Sequence, residues 1–154
     1  SVRIEDFPTP EVISWGWKSR LDNIQAALLN VKFKYYNQFL KRRKEIAERY
    51  CKGLKEIKNI NLPIYGKEDV VQEFIIRVGD RIHFKEFMDA KGVEVLIREI
   101  IPNHKVKLLG LNHFNLSVTE SISHDAVRLP CYPELENQEI DYIISSIKEF
   151  YAKK

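Results

Sequence analysis

Lys18 and Arg20 stand at the mouth of an amphipathic helix, in the stretch Ser-Trp-Gly-Trp-Lys-Ser-Arg-Leu-Asp that runs from Ser14 to Asp22. A helix start exposes unpaired N–H groups and a partial positive charge. Two full positive charges there work against the helix unless an anion sits among them. The chemistry this pattern suggests is anion capture; a solvated, incidental pair is the other reading. His83, His104, His113 and His124 contain no HExxH pair and no cysteine at ligand spacing, so no zinc site is expected. Ser123, His124 and Asp125 are neighbours in sequence. Members of a hydrolase triad converge from separate elements, and there is no G-x-S-x-G elbow. With only six glycines, no glycine-rich phosphate loop is present. The basic run Lys41 to Lys44 lacks interleaved aromatics and is followed at once by Glu45, which suits a solvated face better than a nucleic-acid surface. Cys51 and Cys131 form neither a metal spacing nor a disulfide framework, and both are expected as small buried hydrophobes in a reducing cytosol.

Several elements must position these groups. From Ser19 the pattern is helical: Leu21, Ile24, Leu28, Val31 and Tyr35 define one face, and Leu29, Phe33, Tyr36 and Leu40 a second beside it. So broad an apolar surface predicts a long helix packed on two sides, against the rest of the domain and against another body. Ser19 with Asp22 has capping-box spacing. After Lys41–Glu45 the pattern resumes at Ile46, Tyr50, Leu54 and Ile57 and stops at Pro63. Residues 73–78 (EFIIRV) read as a buried strand, 80–93 as a helix stopped by Gly92, and 93–97 (VEVLI) as a second strand. Residues 98–116 are loop-like, with a short helix around Val106 to Leu109. Thr119 is placed as the cap of another helix through Ala126, RLPCYPEL is extended, and Gln138 to Tyr151 form the last helix. This order describes a small α+β layer domain with a long N-terminal helix, a small β-sheet and a C-terminal helix.

The composition sets the class. The chain has 154 residues, 44% apolar and 31% charged, with a net charge of +3, an ordinary globular mix that permits acidic ligands without demanding nucleic acid. No apolar run approaches the ~18 residues that span a bilayer. The chain begins with Ser and opens in an extended stretch holding Pro8 and Pro10, so it is expected to be part of something longer.

Five stretches in order resemble the C-terminal region of the DegT/DnrJ/StrS-type pyridoxal-phosphate-dependent sugar aminotransferases: GWKSRLDNIQAALLNVK, RRKEIAERYCKGL, QEFIIRVGDRIHFKEFMDAKGV, PNHKVKLLGL and LPCYPELENQEIDYIISSI. Together they run from about Gly16 to Phe150. The resemblance implies the small C-terminal domain of a fold-type I transferase, with residues 1–18 as a lead-in from a large domain and 19–154 as the small domain. It also implies pyridoxal 5'-phosphate as cofactor, a Schiff-base lysine in the large domain, glutamate as amino donor and a nucleotide-linked keto sugar as acceptor. A cytoplasmic homodimer is the implied assembly, and this chain alone is expected to be inactive.

The resemblance also assigns residues. Its G-x-N-x-R turn reaches toward the cofactor phosphate of the partner subunit. Lys18, where the family has Asn, and Arg20 are therefore cofactor-phosphate candidates, with a purely structural turn as the alternative. Arg98 is a candidate for a substrate phosphate or the glutamate carboxylate, or else a surface salt bridge. His104 faces substrate, or is a loop histidine hydrogen-bonded to backbone. The family's His is Gln72 here, and its His-Tyr pair is Arg98-Glu99. These departures bear on the particular sugar. Lys18 and Gln72 also motivate a second reading, a non-catalytic interaction or regulatory module that keeps the fold.

Overall fold

The computed structural model describes residues 21–98 and 101–152; Lys18, Arg20 and the turn that carries them lie outside the described residues. The described residues form two compact units, 21–32 with 101–124, and 33–98 with 125–152.

The second unit contains the sheet and most of the core. Helix α2 (Tyr36–Leu54) runs through the polar stretch 41–45 without interruption, because Lys, Arg and Glu are strong helix formers. The polar run interrupts the apolar stripe, not the helix. The interruption falls earlier. Helix α1 (Asn23–Phe33) ends where Lys34 and Tyr35 turn, with Tyr35 at φ −105° and ψ 0°. The single long helix expected from periodicity is therefore two. Phe33, Tyr35, Tyr36 and Asn37 are all weak helix formers, and none of the described residues of α1 is buried.

The sheet has the order β1–β2–β3 and is antiparallel throughout, with β1 (Ile60–Asn61), β2 (Phe74–Val78) and β3 (Ala126–Leu129). β2 alternates as its sequence requires: Phe74, Ile76 and Val78 are buried, while Ile75 and Arg77 face the other way. Across β2 and β3, Phe74 pairs with Leu129 and Ile76 with Val127. Ile46, Tyr50 and Leu54 of α2, and Ile140 and Ile147 of α5 (Asn137–Ala152), belong to the same buried cluster. Helix α3 (Arg81–Ala90) starts on an Asp80 cap whose carboxylate accepts from the His83 N–H at 3.2 Å. It stops at Gly92, where φ is +73°; the Gly92 N–H bonds the Asp89 carbonyl and the Val93 N–H bonds that of Met88, a Schellman ending.

The second expected strand, 93–97, is reduced to one bridge, Leu96 with Arg128. Val93 is engaged in ending α3, and two residues along the same register Glu94 meets Pro130, which has no N–H to donate. β3 starts at Ala126, earlier than the extended stretch RLPCYPEL suggested. Helix α4 (Ser117–Asp125) begins before Thr119, so Thr119 is not its cap.

In the first unit, Asp22 caps α1; Ser19, the residue with the expected capping-box spacing, lies outside the described residues. The Gln25 N–H donates to the Asp22 carboxylate at 2.7 Å, and the Asp22 N–H donates to the Gln25 amide oxygen at 3.4 Å. No residue of α1 is buried, and Ile24 and Leu28 are 74% and 58% exposed. Among the described residues, the face of this helix expected to pack on the rest of the domain is not buried.

The basic run is not a solvated face. Arg42 donates to the Leu135 carbonyl, Arg43 to the carbonyls of Gln72 and Cys131, and Lys44 to that of Lys67 at 2.7 Å. Tyr50, two turns on from Arg43, donates its hydroxyl to the Pro130 carbonyl at 3.0 Å. One helix thereby satisfies carbonyls of two loops, 62–73 and 130–136, groups that would be costly to leave unpaired. Replacing Arg43→Met is expected to destabilise the unit by about 2 kcal/mol, since it orphans two carbonyls that accept from a cation. Lys41→Met, on the same run but exposed, is expected to stay within about 0.5 kcal/mol of the parent. Urea unfolding of the two variants reads the difference, and equal midpoints would contradict the clamp.

Candidate functional site

Among the described residues, two places hold side chains able to do chemistry, one in each unit. In the first unit, Pro102 is extended, at φ −61° and ψ 146°, and starts a 3₁₀ turn over Asn103–Lys105 closed by the Lys105 N–H on the Pro102 carbonyl at 2.8 Å. Proline suits that position because its φ is already set there. The turn buries His104, whose side chain is 4% exposed. Its Nε2 lies 2.9 Å from Oε1 of Glu120, which sits in the first turn of α4. An acidic group is favoured there by the helix dipole. Lys105 reaches the same Oε1 at 3.1 Å. The hydrogen bond from His104, then that from Lys105, hold the Glu120 carboxyl below its usual range.

In the second unit a cleft of about 760 Å³ opens between residues 92–96, residues 128–132 and the first turns of α5. Val93, Leu129, Cys131, Leu135 and Ile143, all buried, supply its apolar lining. Burial raises the Cys131 thiol, so it is a poor nucleophile, and burial likewise raises Cys51. Both cysteines are free. Arg128 donates to Glu73 at 2.6 Å, and Arg77, on the face of β2 away from the core, pairs with Asp125 at 2.9 Å. Asp125, next to His124 in the sequence, pairs with this sheet arginine.

The cleft does not fit a pyridoxal phosphate cofactor. Its lining contains no lysine to condense with an aldehyde. Arg43 and Arg128 are committed to carbonyls and to Glu73, while Glu73, Glu94 and Glu139 bring three carboxylates where a phosphate dianion needs donors. Among the described residues no group of His, Cys, Asp and Glu could hold a metal ion, and no helix is long and apolar enough to cross a membrane.

The four candidate residues meet different fates. Lys18 and Arg20 lie outside the described residues. Arg98 is exposed, and no ion pair engages it among the described residues, which leave out its neighbour Glu99. His104 is bonded to a side chain, not to backbone as one reading had it. Glu120 was missed by sequence reasoning: it is 16 residues from His104, and no local spacing links them. Arg77 was legible in principle, since its phase in FIIRV opposes that of Phe74, Ile76 and Val78.

The family model of the DegT/DnrJ/EryC1/StrS aminotransferases matches residues 4–148. A dTDP-3-amino-3,6-dideoxy-alpha-D-galactopyranose transaminase of Aneurinibacillus thermoaerophilus is 32% identical over 140 residues, covering 88% of this chain and 38% of that protein. A pleiotropic regulatory protein of Geobacillus stearothermophilus is 29% identical over 143 residues, with the same coverage of 88% and 38%. Among solved structures, DesV of S. venezuelae superposes with a TM-score of 0.79 at 27% identity, covering 90% of this chain and 38% of that one. The chain thus spans well under half the length of these relatives.

The ion pair makes a pH prediction. A carboxyl whose folded pKa is lowered adds stability above its unfolded value and loses it as pH falls through the lowered one. Glu120→Gln is therefore expected to lower the urea midpoint at neutral pH, with the gap to the parent closing as pH falls through the lowered carboxyl value. A gap between the two that persists unchanged in acid would rule out the charged pair as its source.

Proposed function

The chain belongs to the DegT/DnrJ/EryC1/StrS aminotransferase family, and on that premise we propose that it is the small C-terminal domain of an enzyme that aminates sugars. Residues 1–18 lead in from a large domain and residues 19–154 form the small one. The whole enzyme moves an amino group from glutamate to a nucleotide-linked keto sugar, in the cytoplasm, as a homodimer. Pyridoxal phosphate, bound by the large domain, supplies the electron sink for that exchange. This chain contributes wall and anchoring groups: Lys18 and Arg20 toward the cofactor phosphate of the partner subunit, Arg98 toward an anionic group of a substrate, and His104 toward the sugar.

One observation carries this reading. The family match runs nearly end to end, yet the chain spans about 38% of its relatives and its described residues form no cofactor cradle. A cofactor-dependent chemistry with its cofactor site elsewhere is what a small domain requires. The exposed apolar face of α1 agrees, since apolar patches of that extent mark surfaces made to be covered.

The second reading, a regulatory module that keeps the fold, is favoured by the name of the Geobacillus relative and by Lys18 in place of the family's asparagine. The two readings separate in the intact gene product. An aminotransferase releases 2-oxoglutarate from glutamate only when a nucleotide-linked keto sugar is supplied, whereas a regulator releases none. This chain alone, mixed with pyridoxal phosphate and reduced with borohydride, is expected to retain no stoichiometric label on any one lysine. A single labelled Lys18 would place the Schiff base in this chain and overturn the domain assignment. In light scattering the isolated chain is expected to self-associate, and Leu28→Glu on α1 to shift it toward monomer. A monodisperse wild-type monomer at high concentration would remove α1 as an interface.

A further inference from the structure

We propose that Glu120 is a positioning residue that fixes His104 as its Nε2–H tautomer and so makes Nδ1 an acceptor for a sugar hydroxyl. The inference rests on the aminotransferase reading for its substrate class; the tautomer itself does not. An ionised carboxylate has only acceptors, so the proton on the 2.9 Å contact must belong to Nε2 of His104. Glu120 is held ionised by the two donors that meet at its Oε1, His104 and Lys105. In the neutral ring, a proton on Nε2 leaves the lone pair on Nδ1. Among the described residues the ring's hydrogen bond is made through Nε2 and leaves Nδ1 unengaged. The ring cannot turn freely to exchange its nitrogens, because its side chain is only 4% exposed.

An acceptor held in this way selects its ligand by chemistry. It takes a hydrogen from a hydroxyl, and it repels the lone pairs of a phosphate or carboxylate oxygen, which call for donors. His104 is thereby separated in role from Arg98, whose guanidinium suits anions. In a nucleotide sugar the two chemistries fall on different parts: hydroxyls on the sugar ring, charge on the phosphates.

The tautomer is measurable without any activity. Two-bond proton–nitrogen correlation spectra of this chain, labelled at histidine nitrogen, are expected to show the His104 proton on Nε2. In Glu120→Gln, whose amide both donates and accepts, they are expected to show both tautomers. A wild-type proton on Nδ1 overturns the proposal without recourse to any variant, and so does a Glu120→Gln spectrum that keeps a single Nε2–H form. In the full-length enzyme, Glu120→Gln is expected to raise KM for the keto sugar about fivefold, the loss of one well-placed hydrogen bond, with a smaller change in kcat. Loss of kcat at unchanged KM would contradict a role in binding the hydroxyl. If the wild-type enzyme releases no 2-oxoglutarate from glutamate, it is the aminotransferase reading that fails, and the spectra still decide the tautomer.

Discussion

Three consecutive cations on one helix hold the larger unit together. Arg42, Arg43 and Lys44 between them donate to four carbonyls in loops that no strand or helix would otherwise satisfy, and Tyr50 adds a fifth, that of Pro130. Helix α2 therefore does two jobs at once. Its apolar side, with Ile46, Ala47, Tyr50 and Leu54, packs into the core, while its basic flank takes up the backbone of 67, 72, 131 and 135. A sheet of three short strands has few ladder bonds of its own, so loops around it need side-chain donors. Arginine serves because its fork of donors can meet two carbonyls at once, as Arg43 does.

The same clamp explains why the cleft of the second unit is unsuited to a phosphate. The guanidinium that lines it closest to Cys131 is already committed to carbonyls, and the other cation answers Glu73. Positive charge is present, but it serves architecture. Ion pairs at the surface, such as Arg49 with Asp141 between α2 and α5, tie helices together without creating a site. Among the described residues, Arg98 is exposed and His104 is buried and hydrogen-bonded to Glu120.

A domain of this kind is consistent with a division of labour. Cofactor chemistry needs a deep, donor-lined cradle, and a chain matching only part of its relatives need not contain one. What it retains is a covered core in one unit and an open apolar helix in the other. Exposed Leu and Ile on α1 are costly in water, so the physical demand is for a covering surface, and the self-association measurement reads whether a second copy can supply it.

The sequence by itself determined the elements whose cause is local. The 3.6-residue stripe of α2 and α5, the alternation of β2, the stop of α3 at Gly92 and the five family stretches were all legible, because each depends on residues a few positions apart. Tertiary structure decided everything whose partner is distant. Arg42 finds Leu135 across 93 residues and His104 finds Glu120 across 16, and no spacing rule encodes such pairs. It also decided that VEVLI would pair at a single point, because the end of α3 and Pro130 remove the donors a longer ladder needs. Periodicity announces which side of an element is apolar; which polar groups meet is chosen only when the chain closes on itself, since a buried donor takes whichever acceptor the packing brings within reach.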